Sequence, residues 1–272
     1  MTQRPDLVDR DALTQHRARA QFGQLFLQES AADEIEDRLA MVNRAFTTPA
    51  VVTPFGAVWH ARLPHAEIVA DRETLALEAG QHDLVVHAMS LHWSNDPVGQ
   101  LIQCRRALKP DGMLIAATLG GRTLEELRSV LAQAETDLTG GLSPRVAPMG
   151  EIRDLGALLQ RAGAALPVAD SVTLRTEYKD AFHLMHDLRH MGETNALTHR
   201  TRSFTRRQVF ERATALYRTH YSTANRRIHA TFELVFLTGW APDASQPKAL
   251  RPGSAKQRLA DALHVPETPL RD

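Results

Sequence analysis

The segment DLVVHAM, residues 83 to 89, and the run NDPVGQLIQCRRALKPDGMLIAATL that starts at Asn95 constrain the fold more than any other part of the chain. DLVVHAM is a near-continuous apolar run of strand length, the pattern of strands buried on both faces of a parallel sheet. Asn95 or Asp96 can cap a helix, and Pro97 suits its first turn. Val98, Leu101, Ile102 and Leu108 then form one apolar stripe. Lys109, Pro110, Asp111 and Gly112 read as the turn that ends this helix, and MLIAATL reads as a second buried strand. Strand, helix, strand with short loops is a right-handed parallel crossover.

The same alternation extends in both directions. Phe22, Leu25, Phe26, Ile35, Leu39 and Val42 recur at helical spacing, which predicts helix across residues 7 to 45. Thr47, Thr48 and Pro49 break it before AVVTPFGAVW, residues 50 to 59, a β-branched strand, a turn and the start of a helix. HAEIVAD, residues 65 to 71, is a short strand. Thr123 and Glu126 form a capping-box pattern for the next helix. A helix from Arg153 to Ala162, a strand from Ser171 to Glu177, a helical insertion from Ala181 to about Tyr221, and the strand ATFELVFLTGW follow. A helix from Ser254 to Leu263, capped by Ser254, is expected in the tail. The elements predict an α/β, Rossmann-like doubly wound sheet with helices on both faces. Its expected parts are an N-terminal helical arm (1–46), a sheet domain (47–241) with a helical lid insertion at about 180–225, and a tail (242–272).

Thirty-two basic and 32 acidic residues balance, and the pI is near 7.3, so no electrostatic footprint for nucleic acid is present. A single cysteine, Cys104, excludes an internal disulfide and fits a reducing compartment. The first 21 residues carry charges throughout and read as no secretory signal. No apolar run approaches the roughly 18 to 20 residues that cross a bilayer. The expected address is cytoplasmic.

SLHWSNDP, RRALKPDGMLIAATLGG, GGLSPRVAPM, DLGALLQRAG, DLRHMGETNAL and ATFELVFLTGWAP stand in the order seen in class I S-adenosylmethionine-dependent methyltransferases of the type 11 group. Within that group the chain resembles the respiratory complex I assembly factors and their bacterial relatives. It resembles the biotin-pathway malonyl-carrier methyltransferases more distantly. The likeness runs from about residue 10 to 265. The Gly140 to Pro148 loop and the RPGSAK stretch, Arg251 to Lys256, carry it most specifically. The resemblance implies a seven-stranded sheet with one antiparallel strand at Thr231 to Thr238, S-adenosylmethionine as cofactor, and a pocket at the carboxyl ends of the parallel strands. It also implies that Asp71 matches the family's adenine-binding acid.

AVVTPFGAVW occupies the place of the family's glycine-rich loop, where glycine lets backbone approach a nucleotide. Here Gly56 stands alone, Pro54 removes a backbone N–H, and Phe55 adds bulk. Each crossover takes at least about 10 to 12 residues plus strands of about 5, yet only about 30 residues separate Val51 from Leu84. One strand and one helix of the usual nucleotide half are therefore expected to be missing, together with the family's sugar-binding acid. Two readings follow: S-adenosylmethionine held in altered form through Gly56, Asp71 and Met89, or a half-site kept for packing. The bulk at Pro54 and Phe55 favours the second.

His92 and Trp93 follow a strand at its carboxyl end, where His92 can act as a base and Trp93 can stack on a ligand; strand-end packing is the alternative. Arg145 and Arg189, in segments specific to the family, are candidates for contact with substrate or partner, or for ordinary salt bridges such as one to Glu193. His183, His186 and His190 share a helix face and read as solvated, with no metal site. Cys104 reads as a packed thiol. Two functions remain. One is methyl transfer to an acceptor, a protein among the candidates, with His92 as base. The other is a non-catalytic assembly or chaperone role, for the respiratory chain by resemblance, through residues 140–148, 181–200 and 251–256.

Overall fold

The computed structural model describes residues 6–247 and 257–266, and the chain divides into two compact units, Met1–Pro242 and Asp243–Asp272. In the first unit Asp9 opens helix α1 (Arg10–Arg17) by accepting a hydrogen bond from the Ala12 N–H at 3.0 Å. This satisfies one of the donors that a helix start leaves orphaned. Helix α2 (Phe26–Met41) buries Leu27, Gln28, Ala31, Ala32 and Ile35, a single face at three- and four-residue spacing. Between the two helices the predicted helical run is interrupted, because the Gln21 N–H is drawn to the distant His190 carbonyl at 2.8 Å.

The sheet comprises β1 (Pro49–Val52), β2 (Glu67–Val69), β3 (His82–Ala88), β4 (Leu108–Leu119), β5 (Ala165–Tyr178) and β6 (Ile228–Trp240), in the order β2-β1-β3-β4-β6-β5. Strands β2, β1, β3 and β4 pair in parallel, and β6 runs antiparallel between β4 and β5. Among the described residues the sheet has six strands, where the resemblance implies seven. Between β1 and β3 lie one strand and α3 (Ala57–His60), a helix of a single turn.

Two apolar layers cover the sheet. Val51, Leu84, Val86 and Ile115 face α2, α5 (Glu125–Thr139), α7 (Ala181–His190) and α8 (Arg207–His220). Ala50, Val85, Leu114 and Ala116 face α4 (Pro97–Ala107) and α6 (Ile152–Arg161). Alternate side chains of each strand thus enter opposite cores, each large one contributing about 1.5–3 kcal/mol on burial. Asp96 caps α4 by accepting from the Gly99 N–H at 2.9 Å. Asn95 instead accepts from the N–H groups of Leu7 and Val8, both at 2.9 Å, and ties the N-terminal arm to the sheet.

Three local expectations are corrected. Lys109 to Gly112 do not form a free turn: they bulge within the start of β4, where the pairing with β3 shifts register and Asp111 takes a φ of 58°. Thr123 and Glu126 do not form a capping box. Leu124, at φ 55°, precedes α5 without a side-chain cap, while Thr123 bonds the backbone of Glu233 and Glu126 accepts from Thr231 of β6. Long-range partners on β6 outcompete the local cap.

The third correction is that the insertion after Ala181 is two helices, with residues 191–206 irregular between them. Gly192, at φ 76°, ends α7, and the Glu193 N–H reaches back to the Leu188 carbonyl at 2.9 Å. A Cβ at Gly192 would lie 3.0 Å from the Arg17 Cα, so α1 packs directly on this turn. The backbone beyond it pairs with the arm: Asp9 N–H to the Ala196 carbonyl at 2.8 Å, Thr198 N–H to the Leu7 carbonyl at 2.9 Å, and an antiparallel bridge between Val8 and Leu197. Arm and insertion form one cover.

In the second unit Asp243 accepts from the N–H and hydroxyl of Ser245, and the helix α9 spans Leu259–Leu263. The expected start of that helix at Ser254 and the stretch Arg251 to Lys256 lie outside the described residues. Among the described residues no helix is long and apolar enough to cross a membrane.

Candidate functional site

The parallel strands β1, β2 and β3 end together, and the loops after them carry the residues expected at a nucleoside. After β1 the Phe55 N–H bonds the Thr53 hydroxyl at 3.1 Å, and the Phe55 ring is buried in the larger core. Gly56 opens α3 so close to β2 that a Cβ would meet the Ile68 Cγ2 at 2.8 Å. The glycine thus serves the packing of helix on strand. Met89 follows β3 at a φ of 48°, buried, with its N–H on the Ala117 carbonyl at 2.9 Å.

Asp71 follows β2 by two residues, and its partners come from the arm. Arg17 Nη1 lies 2.5 Å from Asp71 Oδ2, with Arg10 Nη2 at 3.4 Å from the same oxygen and hydrogen bonded to the Asp71 carbonyl. The two side chains of the shorter pair are only 14% and 9% exposed. Asp71, Arg10, His87 and Gln100 border a crevice that no water-sized sphere enters. His87 is fully enclosed. Burial pushes its pKa below the ordinary value, and the hydrogen bond to Gln100 at 3.2 Å only partly opposes this.

On the other side of His92 and Trp93 a cavity of about 430 Å³ remains. Its walls are mainly apolar: Leu119 from the end of β4, Leu127 and Leu131 from α5, Met185 from α7, Phe210 from α8 and Phe232 from β6. Trp93, Arg145 and Glu193 join the wall, the last from the cover. Glu193 Oε2 accepts from Trp93 Nε1 at 2.7 Å and lies 3.1 Å from His92 Nε2. The other oxygen, Oε1, is buried without a hydrogen-bond partner among the described residues, on a side chain that is 6% exposed. Burial alone would raise the Glu193 pKa. The charges of His92 and Arg17 and the bonds from His92 and Trp93 outweigh it and hold the carboxyl below its usual value. A residue of the cavity wall is therefore an ionised acid compensated by His92 and Arg17, with one oxygen enclosed and without a hydrogen bond among the described residues.

The remaining predicted residues divide. His92 bridges Glu193 and the Thr118 hydroxyl, 3.4 Å from Nδ1, and lines a smaller neighbouring pocket rather than the main cavity. Arg145 stands in the cavity wall, but its donors are engaged: Nη2 on Glu135 at 2.6 Å, Nε on Glu135 at 3.2 Å and Nη1 on Thr205 at 2.8 Å. The pair fastens the 140–150 loop to α5, and Glu135 is held below its ordinary pKa by Arg145 and Ser143 against the opposing effect of burial. Arg189 lies exposed on α7, apart from the cavity and unpaired with Glu193. His183 and His186 are exposed, and no group of three or more metal-ligating side chains occurs among the described residues.

Sequence reading missed Glu193 as a site residue in its own right, and missed the arm as the partner of Asp71. A signal existed for Glu193. It follows the C-terminus of α7, where the helix dipole disfavours a carboxylate, so some other cationic or donor partner must hold it there. No comparable signal marks Arg10 and Arg17, because their role depends on where the arm lies.

A methyltransferase-domain family model matches residues 40–116. The chain is 38% identical over 206 residues, 76% of its length, to the mitochondrial arginine hydroxylase NDUFAF5 of Rattus norvegicus, and covers 60% of that protein. It is 36% identical over 193 residues, 71% of its length, to a malonyl-[acyl-carrier protein] O-methyltransferase of Laribacter hongkongensis, and covers 62% of it. The YcgJ protein of Bacillus subtilis is similar in structure at a TM-score of 0.49 and 9% identity, over 79% of this chain and 99% of that one.

Proposed function

Because the chain belongs to the methyltransferase type 11 group of class I methyltransferases, we propose that it uses the family fold as a binding protein: the nucleoside end is closed by its own arm, and the neighbouring chamber receives a cationic side chain of a protein segment. The observation that carries this reading is the engagement of Asp71 by Arg10 and Arg17. The family implies S-adenosylmethionine, whose adenine and ribose need free acceptors and bare backbone. Here Pro54 has no N–H, Phe55 fills the loop, and the Asp71 carboxylate already holds two guanidinium groups. The residues present do not fit that cofactor, and no methyl-transfer step is assigned to Gly56, Asp71 or Met89.

The chamber supplies the binding half of the reading. Glu193 belongs to the mainly apolar wall and keeps one enclosed oxygen without a hydrogen bond among the described residues, which a guest reaching it would meet with a charge-assisted bond stronger than in water. The name of the rat relative, an arginine hydroxylase, gives an arginine side chain as the natural guest. Trp93 orients Glu193, Arg145 shapes the loop at its side, and Arg189 is left for contact on the outer face. Respiratory-chain assembly is the setting that the family resemblance suggests. The relative is named as mitochondrial, whereas a cytoplasmic address remains the proposal for this chain.

One observation favours an active transferase: His92, held between Thr118 and Glu193 at a strand end, is oriented as a base would be. Calorimetric titration of S-adenosylmethionine decides between the readings. The expected result is no heat of binding with the wild-type chain. Saturable binding that Asp71→Ala abolishes would overturn the binding-protein reading in favour of the transferase.

A further inference from the structure

The chain is neutral overall, yet residues 199–207, HRTRSFTRR, hold four arginines and a histidine with no acid. This basic stretch is the last part of the cover, from the irregular loop into the start of α8. Its charges are poorly compensated. Arg200 pairs with Asp9 at 2.9 Å and Arg202 reaches the same carboxylate at 3.5 Å. Arg207, 90% exposed, has only Glu211 one turn further on. Arg206 is exposed with no side-chain partner among the described residues. Arg206 and Arg207 also sit at the N-terminus of α8, which has no acid in its first turn. Cations at the positive end of a helix dipole are destabilising, so the fold alone gives no reason for them.

Phe204 stands in the middle of these cations with a relative exposure of 106%, packed on nothing. It forms one wall of a groove of about 330 Å³, and Leu138 at the end of α5, itself partly exposed, forms another. Arg145 and Thr201 line both this groove and the neighbouring cavity, so the two adjoin across these side chains. The rest of the lining is mainly polar, and its one acid, Glu135, is already held by Arg145. A concave surface of this kind suits an extended chain better than it suits a flat one. A lipid bilayer would meet Phe204 and the arginines but could not follow the groove down to Arg145.

From this we infer that the groove beside residues 199–207 docks an acidic protein segment, whose carboxylates lie on Arg202, Arg206 and Arg207 and whose apolar side chain packs between Phe204 and Leu138. The inference rests on the chamber being a receptor for a protein segment and adds the chemistry of that segment: acidic flanks beside the residue that enters. The acids would relieve the uncompensated charge at α8, and the apolar contact would cover an aromatic ring otherwise left in water.

The test uses the full chain and a fluorescein-labelled peptide of glutamates and serines around a central leucine, with no arginine, so that docking is read independently of Glu193. A matched peptide with lysine for glutamate is the control, and phosphatidylserine vesicles are a third arm. The acidic peptide is expected to bind in a salt-dependent way and the lysine peptide not to bind. Arg206→Glu with Arg207→Glu should weaken binding on the order of tenfold or more, and Phe204→Ser should also weaken it. All the changed groove positions are exposed, and an unaltered melting temperature shows that the fold is kept. Absent binding of the acidic peptide, equal binding of both peptides, insensitivity to the loop variants, or binding of vesicles in place of peptide would each overturn the inference. Calorimetric binding of S-adenosylmethionine would overturn the earlier reading alone and leave this result standing.

Discussion

Asp71 is where the arm meets the sheet, and substitution there tests whether the arm is held by electrostatics or merely rests on the surface. The Arg17–Asp71 contact is 2.5 Å between side chains that are 9% and 14% exposed, so it behaves as a buried pair. Removing one member of such a pair costs about 3–5 kcal/mol, because the other charge is left without its partner. Asparagine keeps one oxygen that still accepts a hydrogen bond, and the bond from Arg10 to the Asp71 carbonyl is untouched. Asp71→Asn should therefore cost about 2–3 kcal/mol. Arg17→Met should cost as much or more, about 3 kcal/mol: Asp71 retains Arg10, but both Asp71 and the buried Glu193 lose a compensating charge. The double variant should fall short of the sum by at least about 1 kcal/mol, the coupling expected of groups in direct contact. Urea unfolding followed by far-ultraviolet circular dichroism measures all three. A loss within about 0.5 kcal/mol for Asp71→Asn, or losses that simply add in the double variant, would refute the buried-pair account.

The Glu193 carboxyl has a folded pKa below its unfolded value, so its contribution is present above the unfolded pKa of about 4.3 and is lost as pH falls through the folded one. Glu193→Gln should accordingly destabilise at pH 7 by about 1–3 kcal/mol, with the gap from wild type closing below about pH 4 in a series of denaturation curves; a gap constant with pH would count against the ion pair. Gly56→Val places a Cβ at the 2.8 Å approach to Ile68 and should cost about 1–3 kcal/mol in the same assay, whereas an unchanged midpoint would show that the helix simply moves off β2. Cys104 is fully buried and burial pushes its thiol up to about 12, so Ellman's reagent should react only on unfolding, and fast reaction of the native chain would contradict that placement.

Much of the sheet is legible in the residues because its signals are local. The apolar run at Leu84 and the Asp96 cap with Pro97 behind it each depend on neighbours within a few positions. Of the expected stripe at Val98, Leu101, Ile102 and Leu108, by contrast, only Leu101 lies on the buried face of α4, with Gln100, Cys104 and Ala107. The short first half is legible too, since chain length limits how many crossovers fit before β3. Illegible features are those decided by distant partners. Thr123 and Glu126 spell a local cap, yet β6 supplies better hydrogen bonds from over 100 residues away. Residues 191–206 lose their helical pattern because their backbone pairs with the arm. Asp71 stands where the motif expects it, but its chemistry is set by Arg10 and Arg17, whose charges alone do not say which acid they meet.

The bridge between Val8 and Leu197 joins nearly opposite ends of the folded unit. During synthesis the sheet strands β1 to β4 can emerge and pair long before that bridge has both its halves. The apolar walls contributed by Leu119, Leu127 and Leu131 are thus exposed to solvent on the nascent chain until the segment after α7 has left the ribosome. Long-range closure of this kind is slow and leaves sticky intermediates, so the interval between the emergence of α5 and that of the segment after α7 is the one in which this protein most needs shielding from its neighbours.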